Sequence, residues 1–170
     1  QVYRVYATDR VDYTIGGTSG TFAHTITILP DGKEVYEADD PTPPASMPAA
    51  MPALKVFWRK RGVGIHSLPV TPSPLGRVYK PQRLNTADRF PFFVFLNYRE
   101  ATNFAYTLAF HTPGEVYELW LVNAGRVVPC RPYSDRCSLD HITSLAHIPS
   151  AYDVTPLHCV DVFRAKEHRK

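Results

Sequence analysis

Phe92-Phe93-Val94-Phe95-Leu96-Asn97-Tyr98-Arg99-Glu100-Ala101-Thr102, running on to Glu118-Leu119-Trp120, is the stretch on which the fold turns. Residues 92–96 are five consecutive large apolar side chains, a run that suits a strand buried on both faces. Asn97 to Glu100 then bring a tight turn carrying two charges. Residues 101–110 predict a short helix, with Phe104, Ala105 and Leu108 on one face at spacings of three and four. Glu115 to Val122 predicts a second strand, and Asn123-Ala124-Gly125-Arg126 a hairpin-like turn into Val127-Val128. This order predicts an α/β (or α+β) domain with a mixed sheet and flanking helices. It places Arg99 and Glu100 at the end of a central strand, where open α/β sheets bind ligands.

On the N-terminal side, Val2 to Ala7 is β-branched and aromatic and predicts a strand. Phe22 to Leu29 predicts another, and Pro30-Asp31-Gly32-Lys33 is turn chemistry leading to a hairpin partner at Glu34–Glu37. Residues 39–53 differ in kind. Five prolines in fifteen residues exclude helix and sheet and predict an extended arm, either a spacer or a segment laid on a partner. Leu54 to Trp58 is a short apolar run ending in the basic knot Arg59-Lys60-Arg61-Gly62. Ile65 to Val70 predicts an edge strand, because Pro69 cannot donate to a ladder. Towards the C-terminus, Ser138 to Ala146 predicts a last helix capped by Ser138. Residues 160–170 read as a basic tail.

The length of 170 residues predicts one domain spanning 1–170. Apolar content of 44% and charged content of 21% describe a globular chain, and no apolar run approaches the ~18 residues of a membrane span. The net charge of +3 argues against a dedicated nucleic-acid surface. Three cysteines, Cys130, Cys137 and Cys159, allow at most one internal disulfide.

Several segments stand in the order found in the second half of histidine acid phosphatases. Val5-Tyr6-Ala7-Thr8-Asp9 followed by Thr14 resembles that family's "RSTD…RT" segment. Ile65 to Val70, leading to Asp88-Arg89-Phe90, resembles "IPVHTVP…CPRF". Phe95 to Leu108 resembles "YSAHDTT…L", and Glu118-Leu119-Trp120 its "ELW" strand. Cys130 and Cys137-Ser138-Leu139-Asp140 are similar to "GC…CPL", and Cys159 to the terminal cysteine. The resemblance implies a reduced histidine-phosphatase-like scaffold in which Cys130 and Cys137 hold a local pairing position and Cys159 lacks its partner.

The departures carry the functional expectation. The family's nucleophilic histidine sits in an "RHGxRxP" motif that this chain lacks, and its chemistry passes through a phosphohistidine. Tyr6 stands where the family has a phosphate-binding arginine, and Arg99-Glu100 where it has a His-Asp pair. The resemblance therefore implies a catalytically inactive relative, without cofactor, serving as a structural or accessory subunit among other protein subunits. A mitochondrial location is expected, with a secretory or lysosomal one as the alternative. Two further readings stand beside it. One is the C-terminal chain of a cleaved acid phosphatase. The other is a phosphate-binding module using Arg99 with Arg59 or Arg61, whose planar forks match phosphate. A zinc site from Cys130, Cys137, His141, His158 and Cys159 is set aside because the spacing is not a zinc-finger pattern.

Overall fold

The computed structural model describes residues 4–15, 18–28, 30, 34–38, 50–69, 76–87, 91–128 and 149–166. The chain forms two compact units. The first comprises Gln1–Met51, Ala87–Phe93 and Gly125–Tyr152, the second Pro52–Thr86, Val94–Ala124 and Asp153–Lys170.

The first unit contains an antiparallel meander of β1 (Arg4–Ile15), β2 (Thr18–Ile28) and β3 (Glu34–Ala38). The three strands expected from the pattern are present, and the first two are longer than expected. The β1–β2 register slips between Val5 and Ala7, so Tyr6 sits at a bulge. The proline-rich segment reads differently at its end. β4 (Ala50–Lys60) starts inside it and takes in Pro52, which is exposed. Residues 39–49, Cys130, Cys137, His141 and the helix expected at Ser138–Ala146 lie outside the described residues.

The second unit is built on β5 (Gly64–His66), β6 (Asn85–Thr86) and most of β4, β8 (Val116–Val128) and β9 (Ser150–Arg164), in the sheet order β5-β4-β8-β9-β6. β8 runs in the interior, and Tyr117, Glu118, Leu119 and Trp120 are all buried, which requires cover on both faces. The helix α1 (Tyr98–His111) buries Ala101, Ala105, Leu108 and Ala109. Its start is fixed by Asn97, whose side-chain oxygen accepts the amides of Arg99 (2.8 Å) and Glu100 (3.2 Å). Its end is fixed by Thr112, whose amide and hydroxyl both donate to the Leu108 carbonyl. Gly114 follows at φ +90°, a value that favours glycine.

The structure corrects four expectations. In the run 92–96, Phe92, Val94 and Phe95 are buried and Leu96 is exposed, and the run is not a central strand. Only Phe92–Phe93, β7, is a strand, and it pairs antiparallel with the start of β9. Phe95 exchanges two backbone bonds with Leu54 (2.7 and 2.8 Å). The two ends of the run have different partners, so no single strand can form. The expected turn at 123–126 is absent: β8 continues through it to Val128, with Arg126 at φ +49° and Val122, Ala124, Val127 and Val128 buried. Tyr98–Glu100, expected within a tight turn, form the first turn of α1 because Asn97 caps them, while β5 ends the sheet order as expected of an edge strand, with only an isolated bridge from His66 to Val78 beyond it. Finally, residues 160–164 belong to the 15-residue strand β9 rather than to a tail. The fold is thus mixed α/β, and the paired registers defined for β1–β7 and β9 are antiparallel rather than parallel.

Candidate functional site

Period-two alternation sorts the side chains of β4 in the second unit. Lys55, Phe57 and Arg59 share one face, and Val56, Trp58 and Lys60 the other. On the first face Phe57 packs against Tyr79 (ring centroids 4.7 Å apart) and edge-on against Trp120 (6.2 Å). Lys55 is only 3% exposed, and its Nζ lies 5.7 Å from the centroids of both Phe57 and Tyr79. A charge buried this deeply gains from the ring quadrupoles.

Arg59 meets Glu118 of β8 on the same side. Arg59 Nε donates to Oε2 at 2.8 Å and Nη2 to Oε1 at 2.7 Å, while Trp120 Nε1 also donates to Oε1 at 2.9 Å. The Arg59 hydrogen bonds hold the Glu118 carboxyl below the usual carboxylate range, against the opposing effect of burial. The Arg59 fork is therefore turned onto an internal carboxylate. Cys159 lies near this pair as a free, exposed thiol whose Sγ donates to the Asp161 carbonyl (3.3 Å). Partial burial, then the Glu118 charge, pushes its pKa up.

On the opposite face of β4, Trp58 is half-buried. Its Nε1 donates to Glu115 Oε2 at 2.7 Å, His66 meets its ring edge-on, and Lys60 Nζ lies 5.4 Å from its centroid. Arg61 follows in the exposed turn between β4 and β5.

Arg99 and Glu100 are exposed in the first turn of α1. They and Arg59 or Arg61 are placed on different elements, the helix and the β4 hairpin, and Tyr6 belongs to the other unit. The Thr102 hydroxyl is buried with no hydrogen-bond partner in the structure. The exposed side of α1 carries Tyr106 and Phe110, one turn apart and 64% and 73% exposed. Tyr106 also packs edge-on against Phe163 of β9 (5.1 Å). Sequence reasoning missed Lys55, Glu118 and the Tyr106–Phe110 pair. The signal for the pair was the i, i+4 spacing of two aromatics opposite the Ala101-Ala105-Leu108 face. No family model, curated protein or solved structure matches this chain.

Proposed function

We propose that this chain is a non-catalytic structural subunit that docks onto a partner protein through the outer face of α1. The observation that carries this reading is the Tyr106–Phe110 pair. Two large aromatic side chains, one turn apart, are left mostly in water on a helix whose other side is fully packed. Aromatic residues of this kind are enriched at the cores of protein interfaces and supply large contact areas. Arg99 and Glu100, which stand where the resembled phosphatases have their His-Asp pair, lie exposed on the same helix, with no enclosing wall among the described residues. This setting supports a docking role for the helix over phosphoryl transfer. Descent from a histidine-phosphatase-like scaffold is part of the proposal and rests on the helix and the Glu118-Leu119-Trp120 strand that follow residues 92–96.

The test is the size of the particle in which the native chain resides, compared with that of a Tyr106→Ser/Phe110→Ser variant. The wild-type chain is expected in a particle larger than its own mass. The variant is expected to leave that particle while keeping its circular dichroism spectrum. A wild-type chain recovered as a free monomer, or a variant retained in the particle, overturns the reading.

A further inference from the structure

The net charge of +3 is the sum over two unlike units. Within the bounds of the second unit the sequence has 12 Lys and Arg against 6 Asp and Glu, a net of +6 that leaves −3 for the first. The asymmetry is sharpest in Pro52–Thr86, with seven basic residues and no acidic one. A polyanion responds to local potential rather than to the total charge, so a net +3 for the chain does not exclude a nucleic-acid surface on this unit.

The topology gathers these cations along one margin of the sheet. Lys60 pairs with Gly64 across the β4–β5 hairpin, and Arg61 is in its turn. The chain returns beside β5: His66 bridges Val78, and the Tyr79 amide donates to the Ile65 carbonyl (2.9 Å). Continuing that register sets Lys80 next to Gly64, and Arg83 follows in a turn closed by its amide on the Lys80 carbonyl. Lys60 and Lys80 thus flank a glycine, about two strand spacings or ~10 Å apart. Two acidic groups of this unit are already engaged, Glu115 by Trp58 and Glu118 by Arg59 and Trp120. Arg59 is paired with Glu118, whereas Lys60, Arg61, Lys80 and Arg83 have no carboxylate partner among the described residues.

We infer that this margin binds the phosphate backbone of a single-stranded nucleic acid. Half-exposed Trp58, held in place by Glu115 and bordered by Lys60 and His66, lies within the cationic row. Cations interleaved with an anchored aromatic ring form the arrangement that combines backbone tracking with base stacking. An acidic protein surface would need the charges but not the ring. The surface is separate from Tyr106 and Phe110, so this inference stands independently of the docking role.

The probe is a 20-nucleotide oligouridylate binding the full chain, followed by fluorescence anisotropy over a range of salt concentrations. Four phosphate contacts on a single strand predict a slope of log K against log salt of about −3. The Arg61→Ala/Lys80→Ala/Arg83→Ala variant, all three being exposed residues, is expected to melt as the wild type and to reduce that slope by about 2. Should the triple variant fail to fold, the single Lys80→Ala and Arg83→Ala variants are each expected to reduce it by about 0.7. Absence of binding at low salt, an unchanged slope in folded variants, or equal competition by polyglutamate overturns the inference, the last by assigning the margin to an acidic protein.

Discussion

Arg59 and Glu118 form a two-pronged ion pair between adjacent strands of the sheet, with nitrogen–oxygen distances of 2.8 and 2.7 Å. Glu118 also accepts from Trp120 Nε1, so the carboxylate ties two elements of the network together. Its residue is 9% exposed, whereas the Arg59 side chain is 40% exposed. Water therefore screens the arginine end, and the stabilisation lies mainly in the hydrogen bonds to the buried carboxylate. Glu118→Ala leaves the Trp120 N–H and the Arg59 fork without their acceptor and is expected to lower stability by about 2–3 kcal/mol in chemical denaturation. The folded carboxyl titrates below its unfolded value. The pair's contribution is thus fully present above the usual carboxylate range and disappears as the pH falls through the depressed folded value. The acid limb of the wild-type stability profile is expected to be steeper than that of Glu118→Gln.

Asn85 is a buried staple. Its Nδ2 contacts the carbonyls of Lys80 (3.1 Å), Arg83 (2.9 Å) and Val154 (3.3 Å), and its Oδ1 accepts the Lys80 amide (3.0 Å). These contacts pin the 80–85 turn to β9. Asn85→Ala is expected to cost about 1–3 kcal/mol, since buried backbone groups lose their partners. Asn85→Asp is expected to be worse near neutral pH, because it directs a carboxylate at carbonyl oxygens. Denaturation midpoints of the two variants check the order.

Tyr117 is fully buried, and its hydroxyl pairs with that of Thr112 at the end of α1. Burial pushes its pKa up, partly offset by the Thr112 bond. The folded state favours the neutral phenol, so its contribution is intact below the unfolded tyrosine pKa and is lost as pH rises through the higher folded value. Ultraviolet titration is expected to show a phase ionising later than the exposed tyrosines, to which Tyr152, also pushed up by burial, contributes, and Tyr117→Phe is expected to reduce that phase at a cost of about 0.5–1.5 kcal/mol.

β9 carries two features that oppose pairing with another chain. Pro156 has no N–H, and its carbonyl accepts the Gln82 amide (2.8 Å). Further along, the Val162 amide donates to Asp161 Oδ1 (2.9 Å), and Tyr98 donates to the other carboxylate oxygen (3.2 Å). Val160 and Val162 beside it are exposed. Asp161→Ala uncaps that amide and removes a charge from an apolar strand. It is expected to raise light scattering on warming more than Glu100→Ala, which removes a charge from the exposed helix turn.

The body of helix α1 was legible in the sequence because its apolar spacing is local, whereas its first turn, Tyr98–Glu100, reads as a tight turn when the cap and stop signals are left unused. Asn97 caps it, Ala101, Ala105 and Leu108 define its inner face, and Pro113-Gly114 end it. β2, β3 and the core of β8 were legible for the same reason: β-branched and aromatic runs bounded by turn residues. Much of β9 was hidden, since Pro156 argues against a strand until a neighbour is seen to need no N–H there. The run 92–96 misled because hydrophobicity records burial and not which partner supplies it; Phe92–Phe93 and Phe95 pair with different strands.

The charges divide along the same line. Composition alone determined the chain's net +3 and the absence of acidic residues from 52–86. Only the tertiary structure decided which cations have carboxylates: Glu118 is 59 residues from Arg59 in sequence yet takes up its fork, while Lys60 and Arg61, the next residues along, have none. The physical reason is that a strand sends successive side chains to opposite faces, and what waits on each face is set by the neighbouring strands, not by the segment itself.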